Sequence, residues 1–267
     1  DCAHGAAYKS TPAVLQELGA ELIVFGNQPN GTNINLECGS MHPDTLCANV
    51  RKYRADLGIA HDGDADRVLL CDETGTLIDG DDILAISGLQ MLSSGTLAKK
   101  TVVATVMSNA GLAAAIRAAG GDVVCTPVGD RHVIDLMLAE GFNLGGEQSG
   151  HLIFREHSTT GDGLVAALQI LSTMKSTGQP LSRLVKCWTR YPQLTTNVKV
   201  RAKPDFDELD EVLDLVKKAE AEVKPHGGRV LLRYSGTEPK ARLLIEGPDP
   251  LVMEKWSRAI CNSLKRQ

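Results

Sequence analysis

The residues with the clearest chemical potential are Asp62-Gly63-Asp64-Ala65-Asp66-Arg67, three carboxylates within five positions, set between the apolar runs Leu57 to His61 and Val68 to Cys71. Like charges ~4 Å apart repel by ~1 kcal/mol in water and by several times that near a protein surface, so the cluster calls for a cation. Oxygen-only ligands favour Mg²⁺ or Ca²⁺ over zinc. A compact loop that leaves coordination positions open for phosphate or water suits Mg²⁺ best, with Asp62, Asp64 and Asp66 as ligands. A solvated acidic turn is the commoner fate of two isolated acids and the weaker reading for three between apolar strands. An EF-hand loop counted from Asp62 would find its final glutamate in Glu73, but Arg67 occupies the glycine position and strands flank the loop where helices are needed. A phosphatase with Asp62 as nucleophile is a further alternative, poorly served by the third Asp and by Arg67.

Two more loops have chemical content. Gly145-Gly146-Glu147-Gln148-Ser149-Gly150-His151 lies between Phe142 to Leu144 and Leu152 to Phe154. Its glycines let backbone approach a ligand closely, and Glu147 and Ser149 can pair with hydroxyls such as those of a sugar ring. Taken alone, a decorated hairpin turn explains it equally well. Nearby, Gly129-Asp130-Arg131 opens a helix that Asp130 could cap. The third loop, Arg233-Tyr234-Ser235-Gly236-Thr237-Glu238-Pro239-Lys240 with Arg242 beyond it, has two hydroxyls, a glycine amide and flanking guanidinium groups. These are the parts of a phosphate clamp, because the planar arginine fork matches phosphate oxygens two at a time. A tight turn between two strands is the plainer alternative.

The elements that must position these loops follow from periodicity and punctuation. Ser10 or Thr11 as cap, Pro12 in the first turn and Gly19 as terminator predict a helix, and Glu21 to Phe25 then reads as a buried strand. The order returns about a hundred residues later, with Asn109 to Ala119 helical, Gly120-Gly121 as terminator and Asp122 to Cys125 as strand, which suggests two copies of one α/β unit. Helices alternating with the short strands Leu57 to His61 and Thr101 to Thr105 imply largely parallel or mixed sheets covered by helices on both faces. From Thr195 the texture changes. Strands over Asn197 to Arg201, Arg229 to Tyr234 and Arg242 to Glu246, with helices over Asp207 to Val223 and from Pro250 towards Lys265, predict a smaller α+β domain with an antiparallel sheet. The expected division is residues 1–96 with the metal loop, 97–190 with the sugar loop and 191–267 with the phosphate loop.

Composition bounds the function. The 267 residues, 43% hydrophobic and 23% charged, suit a globular protein of about two domains or more, and no apolar run reaches the ~18 residues of a spanning helix. With a net charge of −5 and 28 scattered basic residues there is no electrostatic footprint for nucleic acid. The seven cysteines are odd in number and form no C-x-x-C pair, which predicts buried free thiols in a reducing compartment, hence a cytoplasmic protein without zinc or disulfides. The chain opens at Asp1 as if at the end of a strand, and so reads as a piece of something larger.

In this order, DGDADR (62–67), EQSGH (147–151) and RYSGTEP (233–239) resemble the metal, sugar and phosphate loops of the α-D-phosphohexomutases. Further segments, DCAHG (1–5), PNGTNIN (29–35), SNAGL (108–112), VGDRHV (128–133) and TTGDG (159–163), are most similar to the bacterial phosphoglucosamine mutase branch of that superfamily. The resemblance implies four domains, of which the second, third and fourth are represented here. The first, with its phosphorylated serine, has no counterpart, since no S-H-N-P loop occurs in the sequence. It further implies exchange of phosphate between the 6- and 1-positions of a phosphorylated hexosamine through a bisphosphate intermediate, with glucose or mannose phosphates as the alternative substrates. Mg²⁺ on Asp62, Asp64 and Asp66 would neutralise the transferring group and Arg67 would assist. Glu147 and Ser149 would grip ring hydroxyls, and Arg233, Ser235, Gly236, Thr237 and Arg242 would hold the idle phosphate. Asp130, Arg131 and His151 would orient substrate or relay a proton. Without the serine-bearing domain the chain is expected to be inert as a mutase, as a polypeptide that binds metal and sugar phosphate without turnover.

Overall fold

The computed structural model describes residues 1–235 and 238–266. The chain forms two compact units, residues 1–108 with 115–189, and residues 109–114 with 190–267. In chain order the elements are α1 (Ala7–Glu17), α2 (Pro43–Tyr53), β1 (Leu57–His61), β2 (Val68–Asp72), β3 (Leu77–Ile78), α3 (Gly80–Ser94), β4 (Thr101–Thr105), α4 (Ala110–Ala118), β5 (Asp122–Thr126), α5 (Asp130–Glu140), β6 (Leu144–Gly146), β7 (Leu152–Phe154), α6 (Gly163–Thr177) and the single turn α7 (Leu181–Leu184). They continue with β8 (Gln193–Lys199), α8 (Asp210–Val223), β9 (Arg229–Tyr234), β10 (Lys240–Glu246) and α9 (Pro250–Leu264). No helix among the described residues is long and apolar enough to cross a membrane.

The first unit contains two sheets. β1, β2 and β3 form an antiparallel meander in which His61 stands opposite Val68, so the six residues 62–67 are the loop of a hairpin. The second sheet, in the order β5-β4-β6-β7, is mixed: β4 runs parallel to β5 and β6, and β7 turns back antiparallel on β6. Helix α3 is buried over its first nine residues, where Ile83 and Leu84 are fully enclosed and Asp81, Asp82 and Ser87 are covered too, so that stretch has no solvent-facing stripe. Asp79 starts it with a reciprocal capping box shared with Asp82.

In the second unit β8-β10-β9 form an antiparallel sheet. Val212, Ala219 and Val223 of α8 and Met253, Trp256 and Ile260 of α9 pack with Val198, Leu243 and Ile245 into one core. Spacings of 3, 4 and 7 residues put those side chains on one face of each helix. Glu246 is fully buried at the end of β10, where the side chains of Arg229 and Gln193 donate to it.

The fold is α/β followed by a smaller α+β unit, as the sequence predicts, but four local expectations change. The first sheet is antiparallel throughout rather than parallel or mixed. Helix α1 begins at Ala7 and carries Pro12 inside it, because Thr11 does not cap it: the Thr11 hydroxyl is buried against His61 Nε2 at 3.0 Å. Glu21 to Phe25 is not a buried strand. Ile23 and Val24 are exposed, the Phe25 carbonyl accepts from the Cys2 amide at 3.0 Å, and the segment lines a cavity of about 540 Å³ together with β1 and forms no ladder with a strand among the described residues. Strand β8 runs over Gln193–Lys199 instead of Asn197 to Arg201, because its register on β10 ends at the Lys199–Lys240 pair, where β10 itself begins.

Candidate functional site

The acidic loop is held from three sides within the first unit. Arg67 N–H donates to Asp62 Oδ1 at 3.1 Å and Arg67 Nε approaches Asp62 Oδ2 at 3.1 Å, closing the loop on itself. Ala65 takes the left-handed conformation at φ 64°, and its carbonyl accepts from the Gly163 amide at 3.0 Å, at the start of α6. The carboxylate oxygens of Asp62, Asp64 and Asp66 come within 4.8 Å of one another. Asp62 is buried, Asp66 half-buried and Asp64 exposed, so the cluster opens to solvent on one side.

Electrostatics single out Asp62. Burial, above all, and the neighbouring Asp66 carboxylate push its pKa up to about 6, against the opposing pull of the Arg67 amide and guanidinium. Asp66 Oδ1 is buried without a hydrogen-bond partner among the described residues, its nearest cationic atom being Arg67 Nε at 3.6 Å. An orphaned carboxylate oxygen beside two further carboxylates fits a hard divalent cation. Behind the loop, burial pulls the imidazole of His61 down to about 4, so it is neutral at pH 7.

The EF-hand reading of the acidic loop loses its footing here. Glu73, the would-be twelfth ligand, instead accepts from the Ser182 backbone and hydroxyl.

The second loop is the tip of the β6–β7 hairpin, as the plain reading allowed, but it is also bound to the acidic loop. Glu147 N–H donates to the His151 carbonyl at 2.9 Å and Gly150 N–H to the Glu147 carbonyl at 3.0 Å, which fixes the turn. Gly150 has φ 93°, and a Cβ there would lie 2.2 Å from the Val68 carbonyl oxygen, so only glycine fits. The Val68 amide donates to the Gly150 carbonyl at 3.1 Å, and Arg67 and His151 form an antiparallel bridge. His151 is buried, with Nδ1 3.0 Å from Asp66 Oδ2. Glu147 Oε1 accepts from the Gly129 amide at 2.9 Å and Oε2 from the Ser149 hydroxyl at 3.4 Å, while Ser149 is exposed.

The Gly129–Glu147 bond ties this turn to the first turn of α5. Asp130 and Arg131 are both exposed there. Asp130 Oδ1 accepts from its neighbour's amide at 2.8 Å instead of capping the helix, and Arg131 Nε lies 3.6 Å from Asp135. The structure thus brings Asp62, Asp64, Asp66, Arg67, Glu147, Ser149 and His151 into one bonded neighbourhood, with Asp130 and Arg131 beside Gly129 at its margin.

In the second unit, Arg233 of β9 stands opposite Arg242 of β10. Two like charges facing across a strand pair are unfavourable unless an anion lies between or beside them. Ser235 is buried, and its hydroxyl accepts from the Glu238 amide at 3.3 Å and from the Arg242 guanidinium at 3.4 Å. Glu238 also pairs with Lys240 and, at 3.3 Å, with Arg242. Gly236 and Thr237 lie outside the described residues. Lys203, which sequence reading passed over, donates to the Ser235 carbonyl and adds a cation to the loop. The two lie 32 positions apart, so no local pattern announces that contact.

Comparison with known proteins gives one consistent picture. Residues 1–75, 79–191 and 196–263 match, in that order, the phosphoglucomutase/phosphomannomutase alpha/beta/alpha domain II, alpha/beta/alpha domain III and C-terminal domain. A phosphoglucosamine mutase of Geotalea daltonii is 52% identical over the whole chain, which spans 58% of that relative, and one of Magnetococcus marinus is 52% identical, with 55% spanned. Among solved structures, Aspergillus fumigatus N-acetylphosphoglucosamine mutase, in complex with GlcNAc-6P and magnesium, superposes with a TM-score of 0.77 at 21% identity, covering 99% of this chain and 65% of that one. A phosphoglucomutase/phosphomannomutase family protein of Burkholderia thailandensis superposes with a TM-score of 0.74 at 22% identity, covering 98% and 59%. At such identities these structures establish a shared fold.

Proposed function

Because the chain belongs to the phosphoglucomutase/phosphomannomutase family, we propose that it supplies the metal, sugar and phosphate loops of a phosphoglucosamine mutase. Such an isomerase interconverts glucosamine 6-phosphate and glucosamine 1-phosphate through a phosphoserine and a bisphosphate intermediate. The observation that carries this reading is the bonded neighbourhood of acidic and sugar loops, in which three carboxylate oxygens lie within 4.8 Å of one another beside Glu147 and Ser149. Phosphoglucosamine mutases about half identical to the chain along its whole length support the choice of amino sugar.

Asp62, Asp64 and Asp66 would hold Mg²⁺, which when bound offsets the charge of the transferring phosphoryl group. Arg67, anchored through Nε to Asp62, would present the rest of its half-exposed guanidinium to the same group. The Gly129 amide orients the Glu147 carboxylate, leaving it and the Ser149 hydroxyl to meet ring hydroxyls. Exposed Asp130 and Arg131 would border the same substrate. Arg233, Ser235 and Arg242, with Gly236 and Thr237, would hold the phosphate that is not reacting. The phosphorylated serine would come from the domain that precedes domain II in such mutases, since no S-H-N-P loop occurs in these residues. Five of the seven free cysteines are buried as expected, while Cys125 and Cys187 are exposed; free thiols of this kind would suit a cytoplasmic setting.

A turnover assay tests this reading on the chain joined to the first domain of a phosphoglucosamine mutase, with Mg²⁺ and a trace of glucosamine 1,6-bisphosphate. Glucosamine 6-phosphate should be converted at least tenfold more efficiently than glucose or mannose 6-phosphate, and the chain alone should not turn over. Preference for either neutral sugar, or sustained turnover by the chain alone, contradicts the proposal.

A further inference from the structure

We infer that His151 is a positioning residue that selects which oxygen of Asp66 faces the cation, so that the sugar loop itself sets the metal site. The inference rests on the reading of Asp62, Asp64 and Asp66 as metal ligands. An ionised carboxylate only accepts, so the 3.0 Å contact from Nδ1 to Asp66 Oδ2 requires the proton on Nδ1. That bond occupies Oδ2. Oδ1 is left buried and without a hydrogen-bond partner among the described residues, with Arg67 Nε 3.6 Å away, and is therefore the oxygen open to an ion.

The imidazole has little freedom to do anything else. It is 4% exposed, and a Cβ on Gly161 would lie 2.3–2.6 Å from its Cε1, Nε2 and Nδ1, so the ring rests flat on that glycine. Its backbone is fixed twice, by the bridge to Arg67 and by the Glu147 amide that donates to its carbonyl. One continuous chain of bonds therefore runs from Glu147 through His151 to Asp66. Outer residues that orient a metal ligand typically change affinity 10–100-fold when replaced. A sugar that shifts the turn of residues 147–151 would displace Asp66 as well, which makes metal affinity respond to the sugar loop.

The test is calorimetric titration of the 267-residue chain with Mg²⁺ alone, for the unaltered protein, His151→Asn and His151→Gln, with melting temperatures measured in parallel. The Asn amide nitrogen sits at the same branch position as Nδ1 and can make the same bond, whereas the Gln amide lies one atom too far. Affinity within about threefold for His151→Asn and a loss of tenfold or more for His151→Gln is the expected result. Equal affinity in both variants and the unaltered chain, or equal losses in both, overturns the positioning role while leaving the metal reading intact. No Mg²⁺ binding by the unaltered chain overturns the metal reading and this inference together.

Discussion

At the scale of single residues, the neighbours His61 and Asp62 respond to acid in opposite senses. Burial lowers His61 from 6.5 to about 4, so between those values the unfolded chain binds the proton more tightly and acid destabilises the fold. Burial and Asp66 raise Asp62 from 3.8 to about 6, so in its window the folded chain binds the proton more tightly and acid stabilises the fold. In the metal-free protein the two largely offset. Replacing Asp62 by Asn removes the favourable response, and acidification from about pH 7 to about pH 4.5 should then cost roughly 2 kcal/mol more than in the unaltered chain. Urea unfolding at several pH values measures this directly; parallel stability curves would show that Asp62 titrates normally.

At the scale of elements, two short hairpins do the positioning, and what makes them one site is the backbone contact between them. Gly150 is its tightest point, with φ 93° and the Val68 carbonyl where a Cβ would stand. The change Gly150→Ala therefore combines backbone strain with overpacking and should lower stability by about 2–4 kcal/mol, read from the urea midpoint at unchanged slope. A loss under about 0.5 kcal/mol would mean that the loops are not wedged together as described. The apolar runs flanking each loop read as strands in the sequence, but the antiparallel pairing around the acidic loop runs against the parallel or mixed sheet expected there. The contact between the two loops was not legible either. Asp66 and His151 are 85 positions apart, and nothing in either loop names its partner. Local chemistry was likewise overruled by tertiary contacts in α1, where Thr11 has the features of a cap but turns its hydroxyl to His61, and at Glu21 to Phe25, whose strand-like composition completes no ladder with a strand among the described residues.

At the scale of the whole molecule, the acidic and sugar loops belong to one compact unit and the arginine loop to the other. With a net charge of −5, the protein offers a phosphorylated ligand no general attraction, so on the proposed function its affinity comes from placed groups, the arginines of the phosphate loop and a cation on the acidic loop. By linkage, an ion that shares the phosphate must tighten sugar-phosphate binding by the same factor as the sugar phosphate tightens its own. The direct measurement is calorimetry of glucosamine 6-phosphate binding to this chain with and without saturating Mg²⁺, repeated on Asp64→Asn and Arg242→Ala. Mg²⁺ should tighten binding about tenfold or more in the unaltered chain and have no such effect in Asp64→Asn, while Arg242→Ala should weaken binding about tenfold and leave the affinity for Mg²⁺ unchanged. Identical sugar-phosphate affinity with and without Mg²⁺ would contradict the claim that the acidic loop holds an ion for the ligand to share.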